Sequence, residues 1–366
     1  MIKLFETKLP EDSIKYVEEV LREGWLSEGV TARLFEEKLQ SLLKEFKTFT
    51  VNSGTSALHL ALILAGVKAG DEVIIPSQTF VATGLAVLYV GAKPVLADVN
   101  PKTGEISIES AKNKITEKTK AIIAVDWGGY PCDYKGLSKL AQQYNLKVIR
   151  DAAHSIFSSV RNININDYVD FTCYSFQGIK SLTTGDGGAV SCRSVFDFER
   201  GKKLRWFGID RVKDLPDASG ERKYNLHEVG YKYHMNNVAA AIGLGQLDTI
   251  IENTKNRQQI ARGYNAELCC YPGVTVPDYN NERISSYWLY PLLVENRNDF
   301  IKHLDSYGVE ASVVHQGIDR NNIFGGLDES LVGQRELDKK LVHIPIRPNL
   351  TMVDFTRIIN IIRMGW

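Results

Sequence analysis

Two residues define the chemistry that this sequence can do. Asp151 follows the apolar run Val148-Ile149, and Lys180 follows a second run, Phe171-Thr172-Cys173-Tyr174-Ser175-Phe176. Both runs predict strands, and the separation of the acid and the lysine suits two successive strands of one sheet. A buried carboxylate and a lysine at neighbouring strand ends can grip opposite sides of one planar cofactor. Pyridoxal phosphate needs such a pair: an amine for its aldehyde, and an anion that keeps its ring nitrogen protonated. Ser175 adds a hydroxyl, and Thr184-Gly185-Asp186-Gly187-Gly188 a glycine-rich turn. The plainer alternatives are a helix N-cap for Asp151 and a surface lysine beside a turn for Lys180.

A second anion site is predicted upstream. The strand Phe49-Thr50-Val51 runs into Asn52-Ser53-Gly54-Thr55-Ser56-Ala57, and an apolar helix continues to Gly66. A strand, a small-residue turn and a helix start aim free N–H groups and the positive end of the helix dipole at one point. Ser53 or Thr55 could equally be a plain helix cap.

The elements that must position these residues alternate along the chain. Strands are predicted over residues 72–76, 93–99, 120–125, 147–149, 170–176 and 188–192, with helices over 81–90, 108–115 and 137–144. This pattern implies an α/β fold: a three-layer α/β/α domain around a mainly parallel, mixed sheet. Ligands bind such sheets outside the carboxyl ends of the strands, where Phe80, Trp127, Asp151 and His154 fall. Two amphipathic helices, 10–22 and 35–46, precede the sheet. Ile14, Val17, Val20 and Leu21 form the apolar stripe of the first. Residues 206–225 read as a mobile polar loop. After helices over 238–247 and 248–269, strands at 287–294 and 310–314 and helices at 300–307 and 352–362 suggest a smaller α+β domain. We therefore expect a large domain over 1–245 and a small one over 246–366.

Composition narrows the class. The 366 residues suit two domains, and 44 basic residues balance 44 acidic ones. That balance suggests neither nucleic acid nor a membrane surface as partner. The five cysteines lack metal-ligand spacing, and vicinal Cys269 and Cys270 read as packed thiols. A reducing, cytoplasmic setting is expected. The polar first residues do not resemble a signal peptide, and no apolar run reaches transmembrane length.

Taken together, the segments GWLSEG, VNSGTSALHLAL, GDEVIIPSQTFVAT, ADVNPKTGEI, RDAAHSI, SFQGIKSLTTGDGGAV, GYKYHMNNVAAAIGLGQL and IPIRPNLT resemble the DegT/DnrJ/EryC1/StrS sugar aminotransferases. The resemblance covers nearly the whole chain and implies the fold of fold-type I pyridoxal-phosphate enzymes. It gives Lys180 the role of the Schiff-base lysine and proton carrier, and pairs Asp151 with the pyridine nitrogen. It implies that His154 contacts the ring 3-hydroxyl and that Phe80 stacks on the ring. Backbone N–H groups of Gly54, Thr55 and Ser56, with the Ser175 hydroxyl, would hold the phosphate. One position departs from the family pattern. Lys232, in Gly230-Tyr231-Lys232-Tyr233-His234, stands where the family has Asn reaching the phosphate of the other subunit. It would serve that phosphate or the substrate, and a residue shared in this way implies a homodimer.

The resemblance further implies transfer of an amino group from L-glutamate to a keto sugar linked to a nucleotide diphosphate, with pyridoxamine 5′-phosphate carrying the nitrogen between the half-reactions. Trp25, Ser27, Trp127, Tyr130 and His315 would face the substrate, and Arg205, Arg211 and Arg222 could hold its diphosphate. A related branch of sugar dehydratases carries histidine at the lysine position, which Lys180 argues against. A non-catalytic regulatory module would not need the acid–lysine pair. A nicotinamide enzyme would need a glycine fingerprint that residues 52–56 lack.

Overall fold

The computed structural model describes residues 1–44, 47–211, 213–214 and 216–366. Helix α1 (Glu11–Glu23) opens on Pro10 with Glu11 and Asp12 in its first turn, and closes on Gly24 at φ 77°. Acidic residues at the start complement the helix dipole, and a left-handed glycine closes the end without a Cβ clash. Of its expected apolar stripe, Val20 is buried but Ile14 and Leu21 are exposed. The stripe therefore does not face the core of this chain. Helix α2 (Val30–Leu43) starts five residues before its expected first residue, Phe35. The expected end of that helix, Phe46, lies outside the described residues.

The strands follow the alternation closely. Strand β1 (Lys47–Val51) is followed by α3 (Gly54–Leu64), β2 (Glu72–Pro76), α4 (Val81–Tyr89), β3 (Lys93–Ala97), α5 (Ile108–Asn113), β4 (Thr119–Val125), α6 (Tyr134–Tyr144) and β5 (Lys147–Asp151). Then come β6 (Ser159–Val160), β7 (Phe171–Ser175), β8 (Gly188–Cys192), α7 (Val195–Leu204) and α8 (Asn237–Leu244). Among the described residues the large sheet has the order β1-β8-β7-β5-β4-β2-β3. The strands from β7 to β3 are parallel, and β8 is antiparallel to both of its neighbours. The sheet is thus mixed and mainly parallel.

Period-two alternation divides the sheet between two layers. On β2, Val73 and Ile75 join α3, α4 and α7, whereas Ile74 joins α5 and α6. On β4, Ile123 faces the first group, and Ile122 and Ala124 face the second. Helices α2 and α8 pack with Tyr174, Phe176 and Ala189 in a third cluster.

Helix α9 (Ile250–Leu268) leads to a separate core around β9 (Val274–Thr275), β11 (Tyr290–Val294), α10 (Arg297–Ser306), β12 (Leu341–Ile344) and α12 (Met352–Arg363); β10 (Arg283–Ile284) falls between β9 and β11, and α11 (Val332–Lys340) between α10 and β12. Its small sheet has the order β12-β11-β9. Ile2 is buried in this second core, and its amide bonds to Gly308 O at 2.8 Å. The start of the chain therefore packs with its end. Thr351 caps α12 by accepting from the Asp354 amide, as its capping sequence predicts. The strand expected over 310–314 is not formed. Ser312 makes one isolated bridge to His343, and Val314 has φ 63°, which a strand does not accommodate. No helix among the described residues is long and apolar enough to cross a membrane.

Candidate active site

The parallel register brings distant residues to one edge. Asp151 ends β5, level with Val125 of β4 and Cys173 of β7. Both of its carboxylate oxygens are held: the Thr83 hydroxyl of α4 donates to Oδ2 at 2.9 Å and the Ala153 amide to Oδ1 at 3.1 Å. Thr79 in turn contacts Thr83, oxygen to oxygen, at 2.7 Å. Burial pushes the Asp151 carboxyl above its usual range, against these two hydrogen bonds and the nearby Lys180 charge.

Lys180 sits in the loop after β7. That loop is closed by Phe176 N to Gly187 O and Thr184 N to Phe176 O, both at 2.8 Å, and Lys180 N bonds to Gln177 O. Its Nζ lies 3.6 Å from the centroid of the Trp288 ring. Burial lowers the amine to about 7, and Asp151 pulls the other way. The amine therefore gives up its proton far more readily than an exposed lysine, as a nucleophile requires.

Trp288 was not singled out from the sequence. It precedes β11, donates from Nε1 to Ile179 O at 2.9 Å, and stacks on His154 with ring centroids 3.9 Å apart. His154 is buried and its Nδ1 accepts from the Gly128 amide at 3.4 Å, so the neutral ring carries its proton on Nε2. Burial, with Lys180 as the nearest charge, holds its pKa well below the ordinary value.

The opposite wall is the start of α3. Ser53 and Gly54 bring this helix against β7: a Cβ on Gly54 would lie 2.7 Å from the Ser175 Cβ. Only glycine permits that approach, which sets the Ser175 hydroxyl beside the helix start. The first N–H groups of a helix have no partner within it, so those of Gly54 and Thr55 are available here. The Ser56 N–H is not, because the Ser53 hydroxyl accepts from it at 3.1 Å. Capping and anion site, posed as alternatives, thus coexist: Ser53 takes one donor and leaves two.

These residues enclose one cavity of about 300 Å³, lined among others by Gly54, Thr55, Phe80, Asp151, His154 and Ser175, with Lys180, Trp288 and His315 completing it. Phe80 is half-exposed and leans on His315 with centroids 4.9 Å apart. Burial and then the charge of Lys180 push His315 down to about 4.

Other expected residues lie elsewhere. Trp127 is buried behind His154 and His315 rather than in the cavity wall. Tyr130, expected to face substrate, is 1% exposed and stacks on Tyr279 at 3.8 Å, with its hydroxyl accepting from the Asn280 amide. Trp25 and Ser27 are exposed and outside the cavity. Their loop is pinned by buried Asn237, whose amide bonds to Leu26 O and Ser27 O and whose side chain donates to Trp25 O. Lys232 is exposed, bridges to Trp206 through its backbone, and does not line the cavity of its own chain.

Two expectations outside the site are corrected. Arg205 is not a loop residue open to a diphosphate. It is buried and bonded to Glu28, Glu36 and Thr50 O, and Arg211 pairs with Glu28. Arg222 is exposed in a loop whose Val212 and Leu215 lie outside the described residues. Cys269 and Cys270 are exposed rather than packed.

Known proteins resemble the chain throughout. It is 34% identical over 307 residues to the GDP-perosamine synthase of Vibrio cholerae, covering 83% of this chain and 80% of that one. The sugar aminotransferase CalS13 of Micromonospora echinospora superposes with a TM-score of 0.93 at 30% identity over the whole of both chains. Spr1654 of Streptococcus pneumoniae, described as a putative sugar aminotransferase and solved in its PMP form, gives 0.90 at 26% identity over 100% of this chain and 98% of that one. Residues 7–363 match the DegT/DnrJ/EryC1/StrS aminotransferase family, and the chain belongs to that family of pyridoxal-phosphate-dependent aminotransferases.

Proposed function

We propose that the protein transfers an amino group from L-glutamate to a keto-deoxy sugar carried on a nucleotide diphosphate, in amino-sugar biosynthesis for a surface polysaccharide or glycoconjugate. The observation that carries this reading is the enclosure of Lys180, Asp151 and the α3 start in one cavity. The GDP-sugar activity named for the Vibrio cholerae relative supports the acceptor class.

The residues present fit the cofactor of the family. An amine near its neutral form, a carboxylate held at both oxygens, and two available N–H groups beside a serine hydroxyl match an aldehyde, a ring nitrogen and a phosphate. When bound, pyridoxal phosphate supplies a carbonyl that takes up amines and a ring that draws electrons from the carbon losing its proton. Lys180 Nζ holds the cofactor and then moves the proton, a role its lowered pKa suits. Asp151 supplies the fixed negative charge for the ring nitrogen, and Thr83 and Ala153 aim it. Gly54, Thr55 and Ser175 bind the phosphate. Phe80 would cover the cofactor ring, and neutral His154, backed by Trp288, would offer its Nε2–H to it.

His315 is the substrate-side group of the cavity wall. Trp25, Ser27 and Lys232 take part only if a second subunit brings them to this cavity. The exposed Ile14, Leu21, Trp25, Leu26 and Val30 support a homodimer in which a second copy covers them. Incubating the protein with pyridoxal phosphate, L-glutamate and nucleotide-linked keto sugars tests the reading. Mass spectrometry should find the amino sugar and 2-oxoglutarate, and their absence across UDP, GDP and dTDP substrates would reject it.

A further inference from the structure

A second cavity of about 290 Å³ lies outside the cofactor site, between residues 4–10, α9 and residues 346–349. Ile179, Lys180 and Trp288 form the wall that separates it from the cofactor cavity. The first residues of the chain are pinned over it. The Leu4 amide donates to Glu310 Oε2 at 2.8 Å, Phe5 stacks on Trp288 with centroids 5.4 Å apart, and the Thr7 hydroxyl donates to Gly178 O. Glu6 is the one acid of the described lining, and it is already paired with Arg347.

Arg257 of α9 lines this cavity without such a partner. It is 9% exposed, makes no hydrogen bond or ion pair with any described residue, and its Nη1 is buried. Ser181 also lines the cavity, with a buried and unpartnered Oγ. A buried guanidinium with no counter-charge is costly, because no partner in the chain replaces the water it loses. Burial lowers the Arg257 pKa only to about 10, so the group stays charged at neutral pH. Its planar fork can donate to two oxygens of a carboxylate or phosphate, and the serine hydroxyl adds a further donor. Lys8, exposed in the same lining, adds a second positive charge that disfavours a cation here.

We propose that this cavity is a second anion site, in which Arg257 and Ser181 bind a small oxyanion, a carboxylate or a phosphate. The site is separate from the anion site at the start of α3 and does not depend on the reaction at Lys180. The pinned segment 4–10 builds its walls in advance, so binding orders little further chain.

Acetate and inorganic phosphate are the probes, each titrated by calorimetry into holoprotein, in which the cofactor already occupies the start of α3. Wild-type protein should bind at least one of them, and the tighter of the two identifies the anion as carboxylate or phosphate. Arg257→Gln should bind that probe about tenfold or more weakly, with cofactor content unchanged. Equal affinity in the two proteins, or no binding of either probe to wild type, would overturn the site. If Arg257→Gln does not fold, Ser181→Ala decides. It should weaken binding about fivefold for the one hydrogen bond lost, and unchanged affinity would reject the proposal. None of these outcomes depends on amino transfer, so failure here leaves the aminotransferase reading standing.

Discussion

The Lys180 Nζ lies 3.6 Å from the centroid of Trp288, on a ring that also stacks against His154. The indole face favours the charged amine, and burial favours the neutral one. Burial wins, and the amine titrates near 7. The apoprotein should therefore take up pyridoxal phosphate at a rate that is flat above about pH 8 and falls about tenfold per unit below pH 6. Trp288→Leu keeps the site apolar but removes the attraction for the charged form. Its acid limb should move to lower pH, by up to about one unit. An upward shift, followed by visible absorbance, would count against this balance.

Thr83 and Asp151 are joined across 68 residues of sequence by a 2.9 Å hydrogen bond. Thr83→Val removes a donor to a buried carboxylate, a loss of about 1.5–3 kcal/mol for a charged acceptor. Cofactor retention after dialysis should fall about tenfold, and the melting temperature should fall by a few degrees. Unchanged retention would mean that Asp151 needs no such positioning.

Arg205 joins Glu28 and Glu36 where α2, β1 and the Trp25 loop converge. Arg205→Ala leaves the half-buried Glu36 without its cation and Glu28 with Arg211 alone. Urea unfolding should show a loss of about 3–5 kcal/mol, whereas Arg222→Ala at an exposed position should stay within about 0.5 kcal/mol. Similar values for both would contradict the buried network.

Much of this was legible in the sequence because it is local. Strand–helix alternation, the Thr351 cap and the residues after β5 and β7 each lie within a few positions of the feature that reveals them. What escaped was long-range. Trp288 stands at the start of a strand in a separate core, where an aromatic residue reads as packing. Thr83 looks like one more small residue on α4. Tyr130 stands in a loop along the sequence yet is buried, because its partner Tyr279 comes from far along the chain. Arg205 borders a polar loop in sequence but points inward to two acids from the first forty residues. Charge and polarity along the chain do not show which side chains find buried partners.

Lys232 does not line the cavity of its own chain. If it serves the site of a second subunit, Lys180→Ala and Lys232→Ala proteins should each be impaired alone. Unfolded together and refolded as a mixture, they should regain roughly a quarter of wild-type sites, since half of the dimers are mixed and each holds one intact site. No recovery above the separate proteins would place Lys232 outside the shared site.

The central claim is that Lys180 is the amine that holds the cofactor. Borohydride reduction of the holoprotein, followed by digestion and peptide mass mapping, tests it most directly. A phosphopyridoxyl mass should appear on the peptide containing Lys180 and vanish in Lys180→Ala. The same mass on another lysine, with Lys180 unmodified, would contradict the assignment.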